Sequence, residues 1–590
     1  MKCNKVLASV ASLMLVLSPL NVYADDTVYA TDNNGNNYTS IESAWSAANS
    51  GTAITLLTDW NLEDRLVLNE NVTAVVELNG HKISRNLTQG KSDGEVFYLS
   101  DCSNLTLNGL NAPQTEFTFT GCYFYDSTKE VTYTSGGLIT GGYSTNSGGG
   151  IHVKKGATLN LNHVIVGGNH AKAGLFSNGE GGAICMDGDD TYLKMDSSYI
   201  VYNNARVNGG GIYSDSENST IEVTNSYIDN NTASHSSGST NHGGAIYINQ
   251  NDTLLKLTNS EIKSNNVWGD GGGVYVNDED VSITLDNSHI NENGFSDLGG
   301  GICVNDSDCS IEMSNNSSIN KNNGGNKGAG IYFNYTDFSV KGTDSTLNTI
   351  SENTSKSGGT GIYVCSNTLT FSNSGEISGL TIDSNYSNGY DGDSIDDKMY
   401  ACGGGMFIAQ ENVLVSNCII TNNTATRGGG VFVDNDDVTF ENVVVTNNNS
   451  WDKYGGFFVS NESDVILNGK VIIKDNTTKS KDKLNLHLDS EILTAYVKGN
   501  LSEGSQVGVY VDEARTIAKK QPVETMKYFF LDTTGYLLEY SSKDQTLSSV
   551  VNSTGSIFGD GNTLIAGCVM LAVVAVGVVC LVVHKKKEAK

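Results

Sequence analysis

A run of glycines followed by a short alternating apolar stretch returns throughout the chain. The apolar residue after each run is Ile151, Ile184, Ile212, Ile246, Val274, Ile302, Ile331, Ile362, Met406, Val431 and Phe457. From Ile212 to Ile362 the steps are 34, 28, 28, 29 and 31 residues. In one unit, Gly271 to Gly273 open Val274-Tyr275-Val276, a second stretch alternates through Val281, Ile283 and Leu285, and a third is anchored on Ile290 before asparagine and glycine close it. Alternation at period two marks strands with one face in and one face out. Three such short strands cannot bury a face alone, whereas stacked units share a continuous core, so the pattern predicts a solenoid. Helical repeats are excluded because no window carries a 3.6-residue period and 66 glycines would break helices. Glycine suits tight corners at positive φ. Asn225, Asn259, Asn287 and Asn316, each followed by serine, recur before the third strand, where turn asparagines of successive coils can bond along the stack.

The pattern resembles the right-handed parallel β-helix of the pectate-lyase-like superfamily. The "GGAI" forms at Gly181 to Ile184 and Gly243 to Ile246 are similar to the GGA-plus-aliphatic motif of the chlamydial polymorphic outer-membrane proteins, and "IDNN" and "IKSN" loosely echo the FxxN motif of that family. The resemblance covers roughly 54–510. It implies an all-β, right-handed parallel β-helix solenoid, an architecture that does not itself assign a function.

The ends complete the expected layout. Residues 1–24 read as a signal peptide, with Lys2 and Lys5 before an apolar run and Val22-Tyr23-Ala24 at the cleavage site. Residues 25–53 form an N-terminal cap, in which Ser40 caps a short helix with Ile41, Ala44, Trp45 and Ala48 on one face and Gly51 as its stop. The β-helix is expected over 54–510, a C-terminal cap with a hairpin around Thr534-Gly535 over 511–542, and a linker over 543–562. Thr563 to Val583 are uncharged and long enough for a single transmembrane helix, and Lys585 to Lys587 place the 584–590 tail in the cytoplasm. This tail resembles a wall-sorting signal, although Gly559-Asp560-Gly561-Asn562 stands where LPxTG would be. The layout predicts a cell-membrane, single-pass protein with an extracellular ectodomain.

Acidic residues outnumber basic ones 66 to 36, for a net charge of −30, which repels nucleic acid and anionic lipid. Cysteines show no CxxC pairs, so zinc is not suggested. Cys102/Cys122, Cys303/Cys309 and Cys402/Cys418 stand close enough to bridge, or simply fill repeat positions.

Two stripes are candidate sites. The residue after the inward apolar one points out: His152, Cys185, Tyr213, Tyr247, Tyr275, Cys303, Tyr332, Tyr363, Phe407, Phe432 and Phe458. Tyr213, Tyr247, Tyr275, Tyr332, Tyr363, Phe407 and Phe432 would offer sugar rings a platform, or stack on each other to hold the sheet. Carboxylates gather at the first turn, among them Asp278, Asp280, Asp306, Asp308, Asp436 and Asp437. Their oxygens would suit calcium, the one cofactor considered, or form a solvated ridge. For catalysis, the resemblance implies a basic residue near aspartates for a lyase, and Arg206 and Arg427 fall before glycine runs near Asp187 and Asp434; it implies clustered aspartates for a hydrolase, of which Asp189-Asp190 stands alone. The favoured expectation is a membrane-anchored, cell-surface adhesin-like β-helix contacting glycans or surface proteins. The alternative is a polysaccharide lyase or glycoside hydrolase acting on the β-helix surface.

Overall fold

In the computed structural model each unit is one coil of a parallel solenoid. The structure describes residues 27–552 apart from 121–129, 173–178, 235–240, 295, 306–307, 335–336, 366–372, 390–400, 435–436, 452–453, 461–462 and 490–494. First strands stack in register, Ile246 on Val274, Ile302, Ile331 and Ile362. Second strands follow suit, Ile221 on Leu255, Ile283, Ile311 and Val340, as do third strands, Ile228 on Ile262, Ile290, Ile319 and Ile350. All of these side chains have no exposed surface. Burying each contributes about 1.5–3 kcal/mol, which is why the alternation fixes the register.

From Tyr143 onward the coils also carry a fourth strand, most often of two residues, such as Asn449–Ser450 pairing with Thr477–Thr478, too short to show a period in the sequence. It follows an asparagine that is wholly internal. Asn169, Asn203, Asn231, Asn265, Asn293, Asn322, Asn353, Asn385, Asn423, Asn448 and Asn476 have no more than 1% exposure. Asn293 shows the pattern: its backbone N–H and its Nδ2 both donate to Asn322 Oδ1, at 3.0 and 3.1 Å, and Nδ2 also donates to the Ile262 carbonyl at 3.0 Å. The ladder passes through Asn485 to Asp532, whose carboxylate accepts from the Asn485 backbone at 2.9 Å and from its amide at 2.7 Å. The asparagines expected at the second turn are a different, exposed string: Asn225, Asn259 and Asn287 hold φ of 47°, 49° and 46°, with Asn287 donating to Asn259 at 2.8 Å. Glycine is required at the next corner, where Gly271 has φ +69° and a Cβ on Gly272 would lie 2.6 Å from the Gly300 carbonyl.

The N-terminal lid is the helix Ile41–Ala48, with Ser40 accepting from the Ser43 N–H and Ala44, Trp45 and Ala48 buried. At the other end the hairpin pairs Tyr536–Ser541 with Thr546–Val551, so its turn lies after Ser541 rather than at Thr534-Gly535. The segment read as linker from 543 therefore supplies a strand.

The membrane expectation is corrected. Among the described residues no helix is long and apolar enough to cross a membrane. The capping helix has 8 residues, about 12 Å of rise against a bilayer core of about 30 Å. Segment 563–583, on which the span was placed, lies outside the described residues, as do the signal peptide and the tail. The transmembrane helix, the cell-membrane localisation, the membrane as partner and the membrane-anchored adhesin that depended on them are not carried forward.

Candidate active site

The outer face of the first strands carries the expected line of rings. Tyr213, Tyr247, Tyr275, Cys303, Tyr332, Tyr363, Phe407, Phe432 and Phe458 pair from coil to coil. The line also runs forward to Tyr98, against His152, and back to His487 and Tyr510. Sequence reasoning missed these three because their coils lack the glycine run; the alternation Phe97-Tyr98-Leu99 and Leu486-His487-Leu488 was the available signal. Tyr247 and Tyr275 stack 5.2 Å apart at 5°, Tyr363 and Phe407 4.7 Å apart at 4°. Ring faces thus cover one another, leaving Tyr213, Tyr247, Tyr275, Tyr332 and Tyr363 only 5–7% exposed. What meets solvent is ring edges and the residues flanking them.

Those flanks differ along the rod, and at the C-terminal half they enclose a cavity of about 360 Å³. Its floor is Tyr363, Phe407, Phe432 and Phe458; Lys327 and Arg427 stand on the glycine-corner side, and Asp434, Ser460 and Asp489 on the other. Lys327 Nζ donates to Tyr363 Oη at 3.0 Å and lies 4.7 Å from the centre of that ring. The Arg427 guanidinium lies 4.1 Å from the centre of the Tyr454 ring, and its Nε is buried without a hydrogen bond among the described residues. Asp434 ends the strand Val431–Val433, and the Ser460 hydroxyl of the next coil donates to its carboxylate. Asp434 as a residue is exposed at the rim, yet the surrounding protein takes enough water from its carboxyl to raise its pKa, with the Ser460 bond acting the other way. Asp489 occupies the equivalent place two coils beyond Asp434, through Val431 on Phe457 on Leu486. Two steps put the carboxylate-bearing positions about 10 Å apart. The structure thus brings Arg427 and Asp434 to one cleft, and adds Lys327 and Asp489, which sequence reasoning left out.

The other expected pair is not assembled. Asp187 is taken by His152, at 3.2 Å, and by Lys154, which hold its carboxyl well below the usual range despite burial, while Arg206 lies on a different stripe, three residues after Asn203. In the N-terminal half His242 stacks 4.3 Å over Tyr275 with Nδ1 3.4 Å from Asp270 Oδ2. Burial pushes His242 down to about 4 and Asp270 up to about 6. His235 lies outside the described residues.

At the acidic turns, Asp190, Asp252, Asp280 and Asp437 hold φ of 60°, 54°, 57° and 57°, as Asn218 and Asn412 do at 55° and 56°. Aspartate is one of the few side chains that tolerates this left-handed backbone. Asp280, Asp308 and Asp337 line a shallow cavity of about 300 Å³, and burial followed by the like charges of Asp337 and Asp280 raises the Asp308 pKa. Asp278 lies within reach of the Asn251 amide; Asp306 and Asp436 lie outside the described residues. Among the described residues no group of three or more His, Cys, Asp or Glu side chains is arranged to hold a metal ion. Two of the bridging options also fail on geometry. Cys303 belongs to the outer ring line and Cys309 to the core, and Cys402 and Cys418 are divided in the same way; Cys122 lies outside the described residues.

No family model matches the chain, and no curated protein matches it.

Proposed function

We propose that the protein is a carbohydrate-active enzyme of the pectate-lyase-like kind, cleaving glycosidic bonds by hydrolysis in the cleft at Asp434 and Asp489. The observation that carries this reading is the pair of carboxylates two coils apart over a Phe floor, one of them with its pKa raised. Asp434 supplies the proton to the glycosidic oxygen, and Asp489 takes a proton from the water that attacks the anomeric carbon. The bond to the leaving sugar breaks, and water divides between the two products. Strand positions about 10 Å apart leave room for a water between the two side chains, as inversion needs with carboxyl groups roughly 6.5–9.5 Å apart, whereas retention needs them at roughly 5–5.5 Å. Lys327 and Arg427 face the carboxylates across the rings and suit a substrate carrying negative charge. Elimination by a lyase is the second reading, favoured by Lys327 on the Tyr363 hydroxyl at 3.0 Å, which places a cation where it would stabilise the phenolate that elimination needs as its base. Reducing-end release from a panel of polysaccharides tests the proposal. Hydrolysis yields saturated ends, whereas an unsaturated uronide, seen by its ultraviolet absorbance, assigns the cleft to elimination. Failure of every polymer to be cut would overturn both.

A further inference from the structure

The internal ladder gives every coil a common origin, and the position three residues after each ladder asparagine is distinctive. It lies just beyond the fourth strand, or within it at Ser296 and Gly325, on the flank that leads into the glycine-corner side of the cleft, and the stripe is held in register by backbone bonds such as Trp451 N–H to the Ala425 carbonyl at 2.9 Å and Lys479 N–H to the Ser450 carbonyl at 2.9 Å. Of the eleven such positions after Asn169 to Asn476, four are cations, Lys172, Arg206, Lys356 and Lys479, and none is Asp or Glu, in a chain where 36 of 590 residues are Lys or Arg. Two more are Trp268 and Trp451, half of the chain's 4 tryptophans. The other two are treated differently by the fold: Trp45 and Trp60 are buried in the N-terminal lid and first coils.

Trp268 is 62% exposed. Trp451 meets Tyr386 at 5.7 Å and 58°, and Lys479 Nζ lies 5.3 Å from the centre of its ring. Trp268 and Lys479 are thus exposed, and Trp451 is half-buried beside Tyr386 and Lys479. Six coil steps separate the two tryptophans, about 29 Å along the axis. The cations are sparse, four over ten steps or about 48 Å, whereas duplex DNA carries a charge about every 1.7 Å. Widely spaced charge with aromatic faces between fits a chain of sugar rings, whose C–H faces pack on indole, with a carboxylate on some of them.

We propose that this flank is a binding track for a linear acidic polysaccharide lying along the solenoid axis, with Trp268 and Trp451 as ring contacts and Lys356 and Lys479 as carboxylate partners. The placement rests on the cleft reading for one feature, the polymer's direction: the line from Asp489 to Asp434 also runs along the axis, so a chain on the track lies parallel to the cleft and beside it.

The test is affinity electrophoresis of the full chain, in the Asp434→Asn background so that polymer stays intact, through gels containing a linear polyuronate, a neutral β-glucan or duplex DNA. Retardation by polyuronate alone is expected, weakened at least tenfold in the double variant Trp268→Ala/Trp451→Ala and in Lys356→Glu/Lys479→Glu. The second pair changes charge without removing a ring, and an unchanged thermal midpoint in either shows that the coils still stack. Cleavage of a short oligosaccharide by the same variants with Asp434 restored is expected to stay at the starting rate. Equal retardation of the variants, retardation by DNA, or none by polyuronate would overturn the track. Retardation lost in the variants while the unaltered protein cuts nothing leaves the track standing and removes the cleft reading instead.

Discussion

The two halves of the ring-bearing face are built on one template and do different things. In the N-terminal half the line is Tyr213, Tyr247 and Tyr275, flanked by His242 and Asp270, which face each other at 3.4 Å. In the C-terminal half it is Phe407, Phe432 and Phe458, and the flanking Lys327, Arg427, Asp434 and Asp489 line a common cavity. Both halves share strand spacing, register and inner core. The difference is in side chains that the coil leaves unconstrained: hydroxyl-bearing rings against bare ones, and a histidine paired with its acid against cations and acids set on opposite sides of a gap. A solenoid fixes where a side chain stands and leaves its chemistry to be chosen coil by coil.

The largest expected effect separates the halves outright. Asp434→Asn, which keeps shape and removes the proton donor, is expected to lower kcat by about 10²–10⁴-fold, as is Asp489→Asn, with polysaccharide binding retained. Asp270→Asn in the other half is expected to leave kcat unchanged. An equal loss from Asp270→Asn would erase the distinction.

Next in size is an effect that ought to be the same in both halves. Asn322→Leu removes the acceptor of the Asn293 backbone N–H and amide, leaving two buried donors unpaired at about 1–3 kcal/mol each. Local hydrogen exchange is the measurement to use, because a long repeat array need not unfold in one step. Faster exchange is expected in the coils on either side of Asn322.

The pH response of the His242–Asp270 pair comes third. Asp270, raised from 3.8 to about 6, binds its proton more tightly folded than unfolded, so its contribution falls as pH rises from about 4 to about 6. His242, lowered from 6.5 to about 4, contributes the opposite slope, stability falling as pH drops from about 6.5 to about 4. The slopes oppose, so the unaltered protein is expected to be nearly flat across this range. His242→Gln is expected to uncover the aspartate slope and Asp270→Asn the histidine slope, each about 3 kcal/mol across the window by thermal melts at several pH values. A slope of the same sign in both variants would mean that the pair does not titrate as its burial requires.

The smallest effect sharpens the contrast between ring types. Phe432→Tyr places in the cleft floor the residue that the other half uses, so the fold is expected to hold. The added hydroxyl gives the Asp434 carboxylate a polar neighbour, and the alkaline limb of the pH–rate profile, set by the proton donor, is expected to move down by less than one unit.

Much of the fold was legible because burial writes itself into sequence at period two. Ile246, Val274, Ile302 and Ile331 announce the first strand, and the glycines before them the corner that no Cβ could occupy. Ser40 and Trp45 announced the lid. Hidden were the features that burial does not pattern. The two-residue fourth strand has no period, and the ladder asparagines, though present in "IDNN" and "IKSN", look like the turn asparagines beside them until one is seen to be internal. Arg427 and Asp434 could be paired from sequence because they are seven residues apart in one coil. Lys327 and Asp489 come from coils far along the chain, and only the stacking of coils brings them to the same cavity. The turn aspartates misled in the opposite sense, since a left-handed backbone calls for Asp or Asn whether or not a cation is bound.

The central claim is that Asp434 and Asp489, two coils apart, act on one glycosidic bond. The most direct test is proton NMR of the first sugar released from whichever polymer of the panel is cut. An inverted anomer, with release abolished in both Asp434→Asn and Asp489→Asn, is the predicted result; a retained anomer, or release undiminished in either variant, would contradict it.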